Sequence, residues 1–317
     1  MPQLSLWQSQ RIIKMPTLTT DQSKKEIDYL GDFALFLEEA ERSPVTIKNY
    51  LCDLNYFVKW FEQKTSASLS PEQITPTDLR DYKHYLSEVL LLKPKTVNRK
   101  LSSLKSFLNW ACTEELIPEH RTPRMPQPIR EEKVGPQWLD RNEQHALVRT
   151  VEQGKNQRDL TIIQLLLNTG LRVSELCSLM WSDIKLTTRK GRLIVRSDKG
   201  GKRREIPLNK DARKVLQDLG YSNHKGKKEA IFRGQRGPMT PRGIESMFRK
   251  YVAHTELDEV TPHKLRHTFC KNLIEAGVSL EKVAMLAGHE NLETTRRYCS
   301  LYDHDLEAAV ELIGGFE

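Results

Sequence analysis

Residues 160–179, LTIIQLLLNTGLRVSELCSL, join an apolar helical pattern to a second, shorter one through a glycine. The run Leu160–Leu167 predicts a buried helix, and Asn168-Thr169-Gly170 suits its end because glycine is favoured at helix C-termini. Val173–Leu179 predicts the short helix that follows. Arg172 is therefore expected between two packed helices, beside a helix N-terminus whose free backbone N–H groups suit a phosphate.

Glu175 follows Arg172 by three residues and could pair with its guanidinium and hold it in place. The same spacing is common in exposed ion pairs that have no functional role and contribute little to stability. These two residues alone leave a phosphate site and a surface ion pair as alternatives.

The composition is that of a globular protein with an ample core. The chain has 317 residues, 38% hydrophobic and 29% charged, and this length predicts two domains. Disordered, collagen-like and membrane proteins are excluded, since no apolar run approaches the ~18–20 residues of a transmembrane helix. The N-terminal MPQLSLWQSQRIIK lacks the apolar centre of a secretory signal. Five scattered cysteines without a C-x-x-C pair favour neither a disulfide framework nor a zinc ribbon, so a cytoplasmic protein is predicted: Cys52, Cys112, Cys177, Cys270 and Cys299.

The order of patterns predicts four segments. Residues 1–22 are interpreted as a tail. Residues 23–117 contain four helical patterns, three of which begin at a proline, and predict a small helical bundle. Residues 118–137 hold five prolines and one glycine without apolar periodicity, which indicates a linker. Residues 138–317 form the second domain.

The second domain is predicted to be mostly helical with a small antiparallel sheet. Arg192–Arg196 and Arg204–Leu208 are strand-like and flank a Gly-Gly turn, which favours a hairpin. A further short strand is predicted at Ala230–Arg233, and a helix begins at Thr240-Pro241-Arg242. The fold class is therefore mainly α.

Positive charge is concentrated around the predicted hairpin. Leu186–Lys214 contains eleven Lys or Arg and three Asp or Glu, a net charge of +8 that equals the formal charge of the whole chain. A localised basic segment is typical of a protein that binds a polyanion. A solvated hairpin that keeps the protein soluble is the alternative.

The sequence His263-Lys264-Leu265-Arg266-His267 opens a helix that Thr261-Pro262 caps. His263 and His267 have the i,i+4 spacing of a zinc-binding HExxH helix, but Lys264 stands where that motif has glutamate. A metal site is therefore not predicted. His263 and Arg266 share one face of the helix.

Three further residues carry suitable chemistry. His289 follows Gly288, and Tyr298 follows in GHENLETTRRYCS, where Arg296 and Arg297 are expected to lower the tyrosine pKa. Lys199 stands at the tip of the predicted hairpin. Taken alone, Tyr298 would be interpreted as a packed aromatic residue and Lys199 as a solvated lysine in a turn. Together with the two arginines and His263 they form a set for phosphoryl transfer without metal ligands.

The order Arg172, Lys199, His263-x-x-Arg266, His289 and Tyr298 resembles the tyrosine recombinases, the phage-integrase-type site-specific recombinases. The matching strings are TGLRVSEL, HKLRHTF and LAGHENLETTRRY, with the Lys199 hairpin between the first two. The resemblance covers the catalytic domain from about residue 138, and the four helices resemble the family's SAM-like core-binding domain. Cys299-Ser300 departs from the Thr-His common in relatives.

The resemblance implies a role for each residue. Tyr298 attacks a DNA phosphate and forms a 3′-phosphotyrosyl bond, while Arg172 and Arg266 bind the non-bridging oxygens. Lys199 acts as general acid on the 5′-oxygen, His263 assists as base, and His289 binds the phosphate. Glu175 supports Arg172. No cofactor, ATP or metal is implied, because the covalent bond stores the energy of the cut.

The resemblance also implies the partners. A double-stranded recombination site is bound, and a homotetramer on two sites exchanges strands through a Holliday junction. A helix at 303–313 is expected to contact the neighbouring protomer, or alternatively its own domain, and accessory proteins are possible partners. No membrane partner is implied, and a nucleoid location is expected. Basic residues expected at the DNA are Lys95, Arg99, Lys100, Lys105, Lys202, Arg203 and Arg242.

Other functions remain open at this point. A type IB topoisomerase shares the chemistry, and a DNA-binding regulator could keep the fold without the catalysis. A metal-dependent nuclease is disfavoured, since no acidic cluster has suitable spacing. Integration, excision and resolution are not distinguished, although the short region before residue 23 favours a simple recombinase of the resolution or mobile-element type.

Overall fold

The structure is a computed structural model that describes residues 28–118, 122–131, 135–196, 203–257, 259–289 and 291–298. The described residues divide into two compact units, one within Met1–Glu132 and the other within Lys133–Glu317. The predicted tail at 1–22, the predicted helix at 303–313, Lys199 and Lys202 lie outside the described residues.

The first unit is a helical bundle whose helices begin where the sequence places caps. Ser43 accepts a hydrogen bond from the Thr46 backbone N–H at 3.2 Å, and Thr75 and Asp78 cap each other reciprocally. A π-helical turn, Tyr85–Val89, continues the third helix. The helices are α1 Tyr29–Glu39, α2 Pro44–Thr65, α3 Pro76–His84 and α4 Pro94–Thr113.

The core of this unit is rich in aromatic rings. Phe33 meets the ring of Phe107 edge to face, with 5.5 Å between the centroids, and Phe57 meets Tyr82 in the same way at 4.9 Å. Part of the proline-rich segment packs against the same unit. The Asn98 side chain of α4 donates to the Ile129 carbonyl at 2.9 Å and accepts from the Ile129 N–H at 2.8 Å.

The second unit is mostly helical and contains a three-stranded antiparallel sheet in the order β1-β2-β3. Leu193 of β2 pairs with Ile206 of β3, and both side chains are buried against the helices. The elements are α5 Arg141–Gln153, α6 Gln157–Thr169, α7 Val173–Ser178, β1 Ile184–Leu186, β2 Gly191–Arg196, β3 Arg203–Pro207, α8 Lys210–Asp218, α9 Tyr221–His224, β4 Arg233–Gly234, β5 Gly237–Pro238, α10 Pro241–Val252, α11 Pro262–Glu275, α12 Leu280–Ala287 and α13 Glu293–Arg296.

The mainly helical fold class predicted from the sequence is confirmed, with two differences in the strands. β1 has only three residues and too little periodicity to be predicted. The strand predicted at Ala230–Arg233 is replaced by an isolated bridge from Ala230 to Met180, and strand pairing begins at Arg233. None of the helices in the described ranges is both long enough and apolar enough to cross a membrane.

Candidate active site

The backbone at the end of α6 holds the side chain of Arg266, an arginine of α11. Gly170 caps α6 in the left-handed conformation, with φ of 60°, and its carbonyl accepts a hydrogen bond from Arg266 Nη1 at 2.6 Å. Arg266, on α11, is only 3% exposed. Burial, followed by the nearby charge of Arg172, lowers the pKa of Arg266 to about 10, so the guanidinium is still charged at pH 7. The buried positive charge of Arg266 favours the binding of an anion beside it.

Arg172 stands at the N-cap of α7, where the sequence predicts it, and is anchored on two sides. Its Nη1 donates to Glu175 Oε1 at 3.0 Å, and its Nη2 donates to the Gly288 carbonyl at 2.7 Å. Gly288 ends α12 in the left-handed conformation, with φ of 68°. The side chain of Arg172 is nonetheless 46% exposed, so its charge is accessible to a ligand.

Glu175 is held by a second arginine that the sequence interpretation missed. Arg204, on β3, donates from Nη1 and Nη2 to the two carboxylate oxygens of Glu175, both at 2.8 Å, and its Nε donates to the Leu286 carbonyl at 3.2 Å. Burial raises the pKa of Glu175, but the hydrogen bonds from Arg204 and the Arg172 backbone outweigh it, so the pKa is lowered. The alternation of side chains along β3 could have identified Arg204, because residues two apart lie on the same face of a strand and Ile206 is buried.

We expect Arg204→Ala to lower the free energy of unfolding by about 2 kcal/mol, because hydrogen bonds to a charged group are lost and Glu175 keeps only Arg172. Arg203→Ala is the matched control, because Arg203 is exposed and its Nη2 lies 3.6 Å from Glu205 Oε1 in an exposed ion pair. The free energy of unfolding of this variant is expected to stay within about 0.5 kcal/mol of wild type. Urea unfolding of both variants measures the difference. Equal stability of the two variants would contradict the anchoring role of Arg204.

The two histidines of the α11 motif lie ring to ring. His263 is exposed on the first turn, and its ring meets that of His267 edge to face, with centroids 4.2 Å apart. His267 Nδ1 is hydrogen-bonded to the hydroxyl of Tyr298. Burial, then the neighbouring His263, lowers the pKa of His267 to about 4, so this ring is neutral at pH 7.

His289 approaches Tyr298 from the end of α12. Its Nδ1 is hydrogen-bonded to Thr295 Oγ1 at 2.8 Å, and its ring lies parallel to that of Tyr298, with centroids 6.4 Å apart. Burial, then Arg266, lowers the pKa of His289 to about 4. A neutral imidazole can donate from its protonated ring nitrogen to a phosphate oxygen.

Tyr298 is buried, with 1% of its surface exposed, and packs among Phe269, Cys270, Val283 and Ala287. Arg297 acts on its pKa in the expected direction, but the net shift is the opposite of the one expected from the sequence. Burial, then Cys270, raises the pKa of Tyr298, and the opposing effect of Arg297 is smaller. Arg296 is directed elsewhere, with its Nη1 2.6 Å from Glu293 Oε1. The tyrosine is therefore neutral at pH 7, and its oxygen can act as a nucleophile only when another group accepts the hydroxyl proton.

The structure brings Arg172, Glu175, His263, Arg266, His289 and Tyr298 together from α7, α11 and the chain that follows α12. It adds Arg204 and His267, which the sequence interpretation did not select. The rings of His267 and His289 lie beside Tyr298, and His267 contacts its hydroxyl. This set can bind a phosphate, supply an oxygen nucleophile and accept its proton.

The basic residues predicted at DNA divide into two kinds. Those at the surface of their own units are Lys95, Arg99, Lys105, Arg203 and Arg242, whereas Lys100 is partly buried. Arg99 and Lys100 both contact Asp53, a buried carboxylate of α2 that also accepts from Ser103 Oγ at 2.9 Å. Asp53 offsets part of their charge and fixes their direction.

Two family models match the chain, "Phage integrase family" over residues 137–304 and "Phage integrase, N-terminal SAM-like domain" over residues 30–115. Similar proteins include the TnP I resolvase of Bacillus thuringiensis, 28% identical over 90% of this chain and 100% of the relative. Tyrosine recombinase XerC of Staphylococcus epidermidis is 32% identical over 88% of this chain and 95% of the relative.

Solved structures share the fold. The Tn1549 transposon integrase in complex with circular intermediate DNA has a TM-score of 0.67 at 24% identity, covering 89% of this chain and 98% of that one. A lambda integrase dimer bound to a core site has a TM-score of 0.67 at 20% identity, covering 85% and 93%. From the family models and the relatives together, the chain belongs to the phage integrase family of tyrosine recombinases and is a site-specific recombinase.

Proposed function

We propose that this chain cuts and rejoins DNA at a specific site through a covalent 3′-phosphotyrosyl bond on Tyr298. One observation carries the proposal: the hydroxyl of Tyr298 is hydrogen-bonded to the neutral ring of His267. The same unit holds two arginines, Arg172 and Arg266, whose side chains are fixed by backbone carbonyls. An oxygen nucleophile, a proton acceptor and paired cations are the parts that phosphoryl transfer needs.

Each residue has a role in the proposed reaction. Arg172 and Arg266 neutralise the non-bridging oxygens as negative charge grows on the phosphate, and His289 donates a hydrogen bond to the same group. The oxygen of Tyr298 bonds to phosphorus and the bond to the 5′-oxygen breaks, with Lys199 supplying the proton to the leaving oxygen. A histidine takes the tyrosine proton; the resemblance gives this role to His263. Attack by the 5′-hydroxyl of another strand reverses these steps and joins new ends, without ATP or a metal.

The proposed substrate is a double-stranded recombination site. The support comes from basic side chains at the surface of each unit, such as Lys95 and Lys105 of α4 and Arg242 of α10. Binding of this kind weakens steeply with salt, because contacts to phosphates release counterions. Two sites held by a tetramer, with a Holliday junction between the two strand exchanges, complete the proposal. The similarity to a resolvase and to XerC favours resolution or mobile-element recombination, with accessory proteins as further partners and a place at the nucleoid.

The proposal is tested with wild-type protein in EDTA and nicked duplexes tiled across the DNA that flanks its gene. The nick lets the cut end diffuse away, so a covalent intermediate accumulates. We expect an adduct that survives SDS and is removed by protease, formed only on duplexes that carry the site. Binding without an adduct on any duplex would favour a DNA-binding regulator. Relaxation of supercoiled plasmids without any specific site would favour a type IB topoisomerase, and cleavage that EDTA abolishes would favour a nuclease.

A further inference from the structure

His267 contacts the reacting atom of the proposed mechanism. Its Nδ1 is hydrogen-bonded to the hydroxyl oxygen of Tyr298, and the two ring centroids are 5.4 Å apart. The imidazole is partly buried on α11, one helical turn after His263, and follows directly on the buried Arg266. The contact therefore ties the nucleophile to the helix that carries one of the phosphate-binding arginines.

His263 occupies a different position from His267. It is exposed on the first turn of α11, and its ring packs edge to face against the ring of His267. The contact of His267 to the hydroxyl oxygen is direct. A general base must lie within hydrogen-bond reach of the proton that it removes, and His267 meets this condition.

We propose that His267 is the catalytic base that takes the hydroxyl proton of Tyr298 during DNA cleavage; the inference rests on the proposed function. The Tyr298 oxygen forms its bond to phosphorus while its proton moves to Nδ1 of His267. The bond from phosphorus to the 5′-oxygen breaks, and that oxygen takes a proton from Lys199. When the strands are rejoined, the imidazolium returns its proton to the departing tyrosine oxygen, so charge and protons balance over the cycle.

The surroundings of His267 explain why its ring becomes a stronger base when DNA binds. Burial and the nearby His263, Arg266 and His289 keep its ring neutral in the free protein. A neutral Nδ1 has the lone pair that the hydroxyl needs. A DNA phosphate brought between the arginines adds negative charge, which offsets those cations and favours the protonated imidazole. The ring therefore becomes a stronger base when substrate is in place.

The test compares His267→Asn with His267→Ala and His263→Asn in single-turnover adduct formation on the nicked site. Asparagine places an oxygen near the position of Nδ1, so it accepts the tyrosine hydrogen bond but takes no proton. We expect His267→Asn to form the adduct at least about a hundredfold more slowly than wild type, with a loss close to that of His267→Ala and larger than that of His263→Asn. Thermal unfolding and gel shift show whether each variant is folded and bound; His267→Gln substitutes if the asparagine variant is not.

A second substrate separates the base from the acid. With sulfur in place of the bridging 5′-oxygen, the leaving thiolate is a weak base and departs without a proton. We expect this substrate to rescue Lys199→Ala but not His267→Asn. Rescue of His267→Asn would overturn the inference, because its defect would then lie on the leaving-group side. A rate within threefold of wild type in folded His267→Asn would overturn it as well. An absent adduct with the wild-type chain removes the proposed function itself, which is a distinguishable failure.

Discussion

Tyr298→Phe is expected to reduce the covalent protein–DNA adduct below detection while DNA affinity stays within threefold of wild type. The phenyl ring keeps the packing against Phe269 and Val283, so the loss is confined to the oxygen. Stability is expected to change by only about 1 kcal/mol, the usual value of a hydrogen bond such as the one to His267. Adduct formation on the nicked site and gel shifts at the same salt concentration measure the two effects.

Tyr251→Phe is the matched control for this experiment. Tyr251 is also buried in the second unit, where its hydroxyl donates to Asp159 Oδ2 at 3.0 Å. Removing that hydroxyl costs a hydrogen bond at least as strong, because its acceptor is a carboxylate, but leaves Tyr298 intact. Adduct formation is therefore expected to continue. An adduct that persists in Tyr298→Phe would show that another side chain attacks the phosphate.

Gly170→Ala is expected to destabilise the second unit by about 2–4 kcal/mol. An added Cβ would lie 2.2 Å from Cδ1 of Phe269, and the left-handed backbone with φ of 60° is unfavourable for alanine. Phe269 packs with Tyr298, and the Gly170 carbonyl holds Arg266, so the change also displaces two candidate catalytic groups. We expect adduct formation to be lost even at temperatures where the variant stays folded.

Gly226→Ala separates the two causes. Gly226 has φ of 77°, yet an added Cβ would meet nothing within 4 Å. This control carries only the backbone strain, about 1–2 kcal/mol. Urea unfolding of both variants and of wild type gives the comparison. If the two variants lose the same stability, Phe269 moves aside at no cost, and the close packing beneath the site is not a constraint.

Local signals explain what the sequence could predict. The helix end at Gly170, the short helix after Arg172 and the caps of α2 and α3 depend on neighbours within four residues, and all are found in the structure. Family membership is confirmed as well, because its motifs are local strings in a fixed order. The pairing of Glu175 with Arg172 was expected for the same reason.

Long-range contacts explain what the sequence could not predict. Arg204 reaches Glu175 across 29 residues, and Asp53 reaches Arg99 across 46, so neither partner stands near the other in the chain. The pKa of Tyr298 was predicted with the wrong sign, since nearby arginines are visible in the sequence but burial by Phe269 and Val283 is not. The roles assigned to the individual site residues stay predictions.

The burial of Tyr298 has a consequence for genome integrity. A recombinase meets an enormous excess of unrelated phosphodiesters, and each accidental covalent bond would leave a broken strand. In the free protein the side chain of Tyr298 is 1% exposed and its hydroxyl is neutral, so a random phosphodiester does not reach the oxygen. Bringing a phosphate to the proposed nucleophile, with its His267 contact kept, requires the favourable energy of a complete set of DNA contacts. The population of that state rises exponentially with the difference in binding energy between target and other DNA. Under the proposed function, the target is therefore selected twice, once when DNA binds and again before the strand is cut.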